Sequence, residues 1–338
     1  MWSSDSIHQE LERFTLQMNN LAKVLTVKEL APYVYTISPE NPILHQVHDR
    51  TLPLTISALI HGDETGGLAS INDFLNLLIS SPHFLEIPIG LALGNPEAAL
   101  KNSRYLERDL NRSFAFPEKK LHEPIRAAQL EKLLRISQYY IDLHQTSQKS
   151  SSPFFIFPYT AESYQFAREL LPGIPIVTHW KESFSSEGCC SDEFHNQNGG
   201  TGITIEMGLK GIDPYQSSFG FFLITRALGL IRRRHDLIPY TANLTPPAKA
   251  RAPLYTWSAV RRVHLKDQAR LDHGWYNFRE VSKGDTLGQI GGKPMLAEAS
   301  GKILFPKYSD PAPASSAEPY ELYRIIRKIS EKELPDSR

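Results

Sequence analysis

The sequence predicts an α/β fold with a mixed, largely parallel sheet flanked by helices, followed by a smaller C-terminal β-rich domain. Three observations carry that prediction. Short runs rich in Val, Ile, Leu and Thr alternate with helical apolar periodicity over roughly the first 235 residues. Composition then shifts to the stretch Thr245-Pro246-Pro247-Ala248-Lys249-Ala250-Arg251-Ala252-Pro253, which reads as a linker. Beyond it, turn signals at Lys283-Gly284-Asp285, Gly291-Gly292 and Ser300-Gly301 separate short strands. The expected division is a catalytic domain over residues 1–245 and a β-rich domain over 246–338. A chain of 338 residues with 41% hydrophobic and 22% charged side chains can bury a core of this size.

Each element follows from local pattern. Ile7, Leu11, Phe14, Leu16, Met18 and Leu21 recur at helical spacing, so residues 5–25 read as an amphipathic helix. Leu30–Ile37 and Leu52–Ile60 read as strands, the second stopping at His61-Gly62. A helical apolar face over 68–78, a strand over 87–93 closed by Gly94-Asn95-Pro96, and a helix over 122–138 with Pro124 in its first turn come next. Strands are expected at 139–143, 154–157 and 203–206. The helix over 219–232 ends in Arg232-Arg233-Arg234-His235, cations that suit its negative pole. The stretch from Asp310 to Pro319 reads as a loop.

Charge and cysteine content exclude several classes of function. The 37 basic and 37 acidic residues cancel, so neither nucleic acid nor an acidic membrane is expected as a partner. The two cysteines are the neighbours Cys189 and Cys190, a pair poorly suited to a bridge, and a cytoplasmic protein is expected. No apolar stretch is long enough to span a bilayer, and the N-terminal stretch has no signal-peptide pattern. The acceptor pattern Asn243-Leu244-Thr245 carries no weight without a secretion signal.

His61 and Glu64 lie three apart, immediately after an apolar strand, where open α/β sheets place their ligands. Imidazole nitrogen and carboxylate oxygen are ordinary zinc donors. The same spacing recurs at His83/Glu86 and His179/Glu182 without such a setting. His144 closes the strand over 139–143 and supplies a third donor, leaving a fourth position open. Asp142 reads either as a group supporting His144 or as a charge on the opposite face, with the second favoured. Glu206, at the end of an apolar strand, is the candidate proton acceptor; its alternative is a salt-bridged structural carboxylate. In Arg104-Tyr105-Leu106-Glu107-Arg108-Asp109-Leu110-Asn111-Arg112, one arginine suits an oxyanion and another a carboxylate; the alternative is a solvated charged loop.

Taken in order, His61-Gly62-Asp63-Glu64, the Arg104–Arg112 segment, Asp142-Leu143-His144 and Ile205-Glu206-Met207-Gly208 resemble the succinylglutamate desuccinylase/aspartoacylase family, which has the zinc carboxypeptidase fold. The resemblance runs from about residue 50 to 330. It implies one zinc per chain on His61, Glu64 and His144, with Glu206 as general base. It further implies Arg104 on the scissile carbonyl, and Asn111 with Arg112 on the substrate carboxylate. The implied partner is a small-molecule acyl amino acid, hydrolysed at its amide bond; a homo-oligomer is left open.

Residues 192–200 contain no arginine, whereas aspartoacylases place one shortly before the late glutamate to read the aspartate side chain. Acetylaspartate is therefore not the expected substrate. His195 and Lys149 read either as substrate contacts or as exposed polar residues, the second favoured, and Trp275, Tyr276 and Phe278 as local core rather than a sugar-binding platform. The tail resembles a biotinyl/lipoyl-type β fold without an attachment lysine, so it is expected to cover the cleft or support a dimer. Two further readings remain: a zinc carboxypeptidase acting on short, possibly cell-wall, peptides, and a non-catalytic carboxylate-binding protein. An enclosed cleft favours small acyl amino acids, and an open groove favours peptides.

Overall fold

A computed structural model describes residues 4–43, 49–118, 120–180, 188–235, 252–308 and 319–336. The first helix, α1 (Ser4–Leu21), buries Ile7, Leu11, Phe14, Met18 and Leu21, while Leu16, expected on the same face, is exposed because it lies off their 3- and 4-residue spacing. Strands β1 (Thr26–Ala31) and β2 (Val34–Ser38) then form a hairpin. One strand over 30–37 was the expectation; the chain instead turns at Pro32-Tyr33, where Tyr33 takes a left-handed φ of 59°.

Strand β3 (Leu52–Ala58) is buried throughout and leads through His61 and Glu64 into α2 (Gly66–Ser80). Then follow β4 (Ile89–Leu93), α3 (Pro96–Leu100) and α4 (His122–Arg135). The last of these stops before 138 because Ser137, already in the next strand, donates its hydroxyl to Leu133 O at 2.8 Å. Strand β5 (Ser137–Thr146) runs two residues past His144. Next come β6 (Phe154–Pro158), α5 (Ala161–Leu170), β7 (Ile176–His179), α6 (Ser191–Gln197) and β8 (Thr201–Leu209). Helix α7 (Pro214–Arg234) starts five residues before its apolar periodicity, because Asp213 caps it by accepting from the Tyr215 and Gln216 amides and Pro214 opens the first turn.

The remaining strands are β9 (Leu254–Val263), β10 (Arg270–Leu271), β11 (Glu280–Val281), β12 (Thr286–Ile290), β13 (Lys293–Leu296), β14 (Gly301–Leu304) and β15 (Tyr320–Ile329). Twelve strands make one sheet, ordered β1-β2-β4-β3-β5-β8-β6-β7-β9-β15-β14-β11, and β10, β12 and β13 make a second. Its centre, β4-β3-β5-β8, is parallel. Strand β6 runs antiparallel to β8, and β9 joins β7 in parallel. This is the expected mixed, largely parallel sheet. The expected linker falls on undescribed residues except for Ala252 and Pro253, and all of the loop over 310–319 but Pro319 lies outside the described residues.

On one face of the sheet α2 packs against α7. Gly220 makes that approach possible: a Cβ there would lie 2.2 Å from Ser70 Oγ and 3.0 Å from Met207 Sδ. Overpacking of this kind costs about 1–3 kcal/mol. Gly220→Leu is therefore expected to lower stability by about 1–3 kcal/mol in urea unfolding, and an unchanged midpoint would contradict the close packing.

Candidate metal centre and active site

The parallel centre of the sheet brings its carboxyl ends together. His61 follows β3, His144 lies in β5, and the register of β5 with the neighbouring β8 sets His144 opposite Glu206. The chain turns sharply after His61, and Gly62 is required there: a Cβ would meet Ala99 N at 2.4 Å and Ser103 O at 2.5 Å. Its own amide donates to Arg104 O at 3.0 Å, tying the His61 turn to the arginine loop.

His61, Glu64 and His144 are buried, with one ligand-capable atom from each within 4.8 Å of the others. Glu64 lies between the two imidazoles: Oε1 is 2.8 Å from His61 Nδ1, and Oε2 is 2.9 Å from His144 Nδ1. The Gln145 amide also donates to Oε2, at 3.0 Å. The opposite ring nitrogens face carboxylates as well. His144 Nε2 is 2.9 Å from Asp142 Oδ2, and His61 Nε2 is 3.1 Å from Asp109 Oδ1. A metal ion in place of the proton between Nδ1 and Glu64 would leave the His144 ring held from behind by Asp142 at Nε2, the arrangement that metal-ligating histidines use.

Asp142 is therefore not a charge on the far face. Residues two apart on a strand share a face, and Asp142 meets His144 there. Its oxygens also accept from Ser57 Oγ and Ser191 Oγ, each at 2.6 Å. Burial alone would raise this carboxyl, but His144, Ser191 and Ser57 outweigh it and hold it below its ordinary value.

The cluster is charged and mutually stabilised. Burial opposes ionisation of Glu64, yet His61 and His144 keep its carboxyl well below the usual range. Burial likewise opposes the imidazolium of His144, and Asp142 and Glu64 overcome it, so that ring lies well above the ordinary histidine value. Glu206 behaves oppositely: burial, reinforced by Glu64, pushes it up to about 7. Its Oε2 is buried without a hydrogen-bond partner. Two imidazole nitrogens, one carboxylate and an orphaned carboxylate oxygen beside them are a donor set that fits a divalent ion such as zinc.

The segment over 104–112 wraps the open side. Arg104 Nε and Nη2 each donate to Asp109 Oδ2 at 3.2 Å, and Nη1 donates to Glu64 Oε1 at 3.3 Å. Its Nη2 also lies 2.7 Å from His61 Nε2, so this guanidinium borders the cluster. Asn111 accepts from the Ser191 amide at 3.0 Å, while Arg112 Nη1 donates to Asn111 O at 2.5 Å and to Cys190 Sγ at 3.1 Å. All seven singled-out residues thus gather around one region: His61, Glu64, His144 and Glu206 at the centre, and Arg104, Asn111 and Arg112 along the rim.

Sequence reasoning passed over Glu123. This fully buried carboxylate accepts from Asn95 Nδ2 at 3.0 Å and from the amides of Leu106 (2.6 Å), Glu107 (3.1 Å) and Arg108 (3.0 Å). It fixes the loop between Arg104 and Asp109, and nothing local in α4 marks it. Gln145 was passed over too: its Oε1 accepts from Gly66 N at 2.7 Å, holding the start of α2 against β5. His195 is not an exposed polar residue. It is buried, with its ring nitrogens 3.1 Å from Leu134 O and 3.1 Å from Gln138 O, and burial pushes it down to about 4.

A mostly parallel sheet thus presents a buried His-Glu-His set, able to hold a metal ion, at its carboxyl edge. A profile of the succinylglutamate desuccinylase/aspartoacylase catalytic domain matches residues 51–225, and the chain belongs to that family. It is 27% identical over 275 residues to the succinylglutamate desuccinylase of Serratia proteamaculans, covering 75% of this chain and 79% of that one. Among solved structures, succinylglutamate desuccinylase from Vibrio parahaemolyticus superposes with a TM-score of 0.67 at 18% identity, over 93% of this chain and 95% of that one. Murine aminoacylase 3 superposes with a TM-score of 0.60 at 18% identity, over 84% and 97%. No helix among the described residues is long and apolar enough to cross a membrane.

Carboxylates that orient ligating imidazoles typically contribute 10- to 100-fold to metal affinity. Asp142→Asn is expected to weaken zinc binding by about that factor, measured by competition with a chromophoric chelator. Unaltered affinity would show that Asp142 does not support His144 as a ligand.

Proposed function

We propose that the chain is a zinc-dependent hydrolase that cleaves the amide bond of an N-acyl amino acid. The single observation that carries this reading is the buried His61-Glu64-His144 set beside the unpartnered Glu206 Oε2. Zinc held by that set would supply Lewis-acid chemistry at the amide carbonyl and acidify water.

The chain's own groups do the rest. Glu206 takes the proton of the attacking water on its free Oε2 and delivers it to the departing nitrogen. A carboxyl raised to about 7 by burial suits both directions of transfer near neutral pH. Arg104, held by Asp109 at the cluster's edge, donates to the oxyanion as it develops. Asn111 and Arg112 grip the carboxylate of the substrate, Arg112 as the bidentate fork and Asn111 through its amide. Asp142 and Asp109 hold the two imidazoles in register.

A panel assay decides between substrate classes. Zinc-loaded protein offered acetyl-, succinyl- and formyl-amino acids and dipeptides is expected to release free amine from acyl amino acids; release from dipeptides alone would make it a peptidase. Glu206→Gln is expected to keep its zinc, read by elemental analysis, while turnover falls roughly 10²- to 10⁴-fold. Retained turnover would remove Glu206 as the base. Arg112→Ala is expected to raise KM by about 10- to 100-fold with kcat little changed, as loss of uniform binding requires. A fall in kcat alone would place Arg112 at the reacting centre instead.

A further inference from the structure

The neighbouring cysteines of one short extended segment turn to different partners. Cys189 forms an isolated antiparallel bridge with Phe114, its amide donating to Phe114 O at 2.9 Å, and its side chain joins the apolar cluster that holds Phe114 and Phe194. Cys190 turns to Arg112 instead. It is a buried free thiol, and Arg112 Nη1 donates to its Sγ at 3.1 Å.

The same segment meets the Asn111-Arg112 pair at two further points. Gly188, with a left-handed φ of 68°, lies so close to Arg112 that a Cβ would sit 2.3 Å from the carbonyl oxygen. The Ser191 amide donates to Asn111 Oδ1 at 3.0 Å. Residues 188–191 are thus the surface against which both side chains of the pair are set.

A guanidinium Nη1 carries two hydrogens. Arg112 gives one to Asn111 O at 2.5 Å and the other to Cys190 Sγ. Two acceptors on one nitrogen fix the plane of the guanidinium, and a bidentate pair with a carboxylate depends on that plane. Sulfur does this without charge. Burial pushes the Cys190 thiol up, against the pull of Arg112, so the thiol keeps its proton. A carboxylate in its place would neutralise the guanidinium before any ligand arrived.

We propose that Cys190 is a positioning residue: by accepting from Nη1 it holds the Arg112 guanidinium in the plane in which that group receives the substrate carboxylate. This rests on the amide-hydrolase reading above, in which Arg112 is the receiver. It adds a residue outside the metal centre that sets affinity through another side chain.

Two substitutions separate hydrogen-bond acceptance from packing, because the two roles rank them oppositely. Cys190→Val fills the space without an acceptor, whereas Cys190→Ser keeps an acceptor in a smaller volume. Cys190→Val is expected to raise KM for acyl amino acids about three- to tenfold with kcat little changed, and Cys190→Ser to stay within about twofold of the unsubstituted enzyme. The opposite order would make Cys190 a packing residue and overturn the proposal. Cys190→Ala, which loses the acceptor without added bulk, is expected to raise KM as valine does, but to have no effect in an Arg112→Ala background, where no guanidinium remains to be oriented. A rise of the same size in both backgrounds would also overturn it. Crystals of the zinc-loaded Cys190→Ala protein give a readout free of substrate and turnover. The guanidinium of Arg112 is expected to turn away from Asn111 O there and to stay on it in Cys190→Ser; an unmoved guanidinium in Cys190→Ala would contradict the positioning role. If the unsubstituted enzyme releases no amine from any acyl amino acid, the hydrolase reading fails on that result, and the guanidinium plane in the crystal still decides what Cys190 does.

Discussion

One carboxylate shared between two imidazoles organises the catalytic half of this molecule. Glu64 is buried, and its two oxygens are divided between His61 and His144. A buried carboxylate is tolerable only with positive charge or strong donors around it. Here both rings are driven above the ordinary histidine value, each supported from behind by a second carboxylate. The cluster therefore holds protons at the positions where a divalent ion would hold the same ligands. Metal binding at such a set is coupled to proton release.

The fold is arranged to keep that carboxylate in place. Adjacent parallel strands deliver His144 and the turn bearing His61, while Gly62 allows the turn to press against α3. Glu123 anchors the arginine loop from the other side through three accepted backbone hydrogen bonds and ties it to Asn95 by a fourth. Charge is graded outward. Acids and imidazoles fill the centre, and Arg104 and Arg112 stand at the rim.

Much of this could be read from the sequence because the informative residues stand at strand ends. His61, His144 and Glu206 each terminate or nearly terminate an apolar run, and that setting separated His61 from the same spacing at His83. Asp142 was readable too, since two-residue spacing on a strand fixes its face, but a lone carboxylate gives no sign of what it meets. Glu123 and Gln145 act through contacts to distant segments, and no local pattern encodes those. The hairpin at Pro32-Tyr33 was masked by continuous apolar composition, and the start of α7 by its polar, capped first turn. The short elements α3, α5, α6 and β7 lacked enough periodicity to stand out.

Crystals grown with zinc, measured with anomalous diffraction above and below the zinc edge, test the central claim most directly. The account predicts one strong anomalous peak per chain, bonded to His61 Nδ1, Glu64 and His144 Nδ1 and adjacent to Glu206. No peak at that cluster, or zinc held only by other residues, would contradict it.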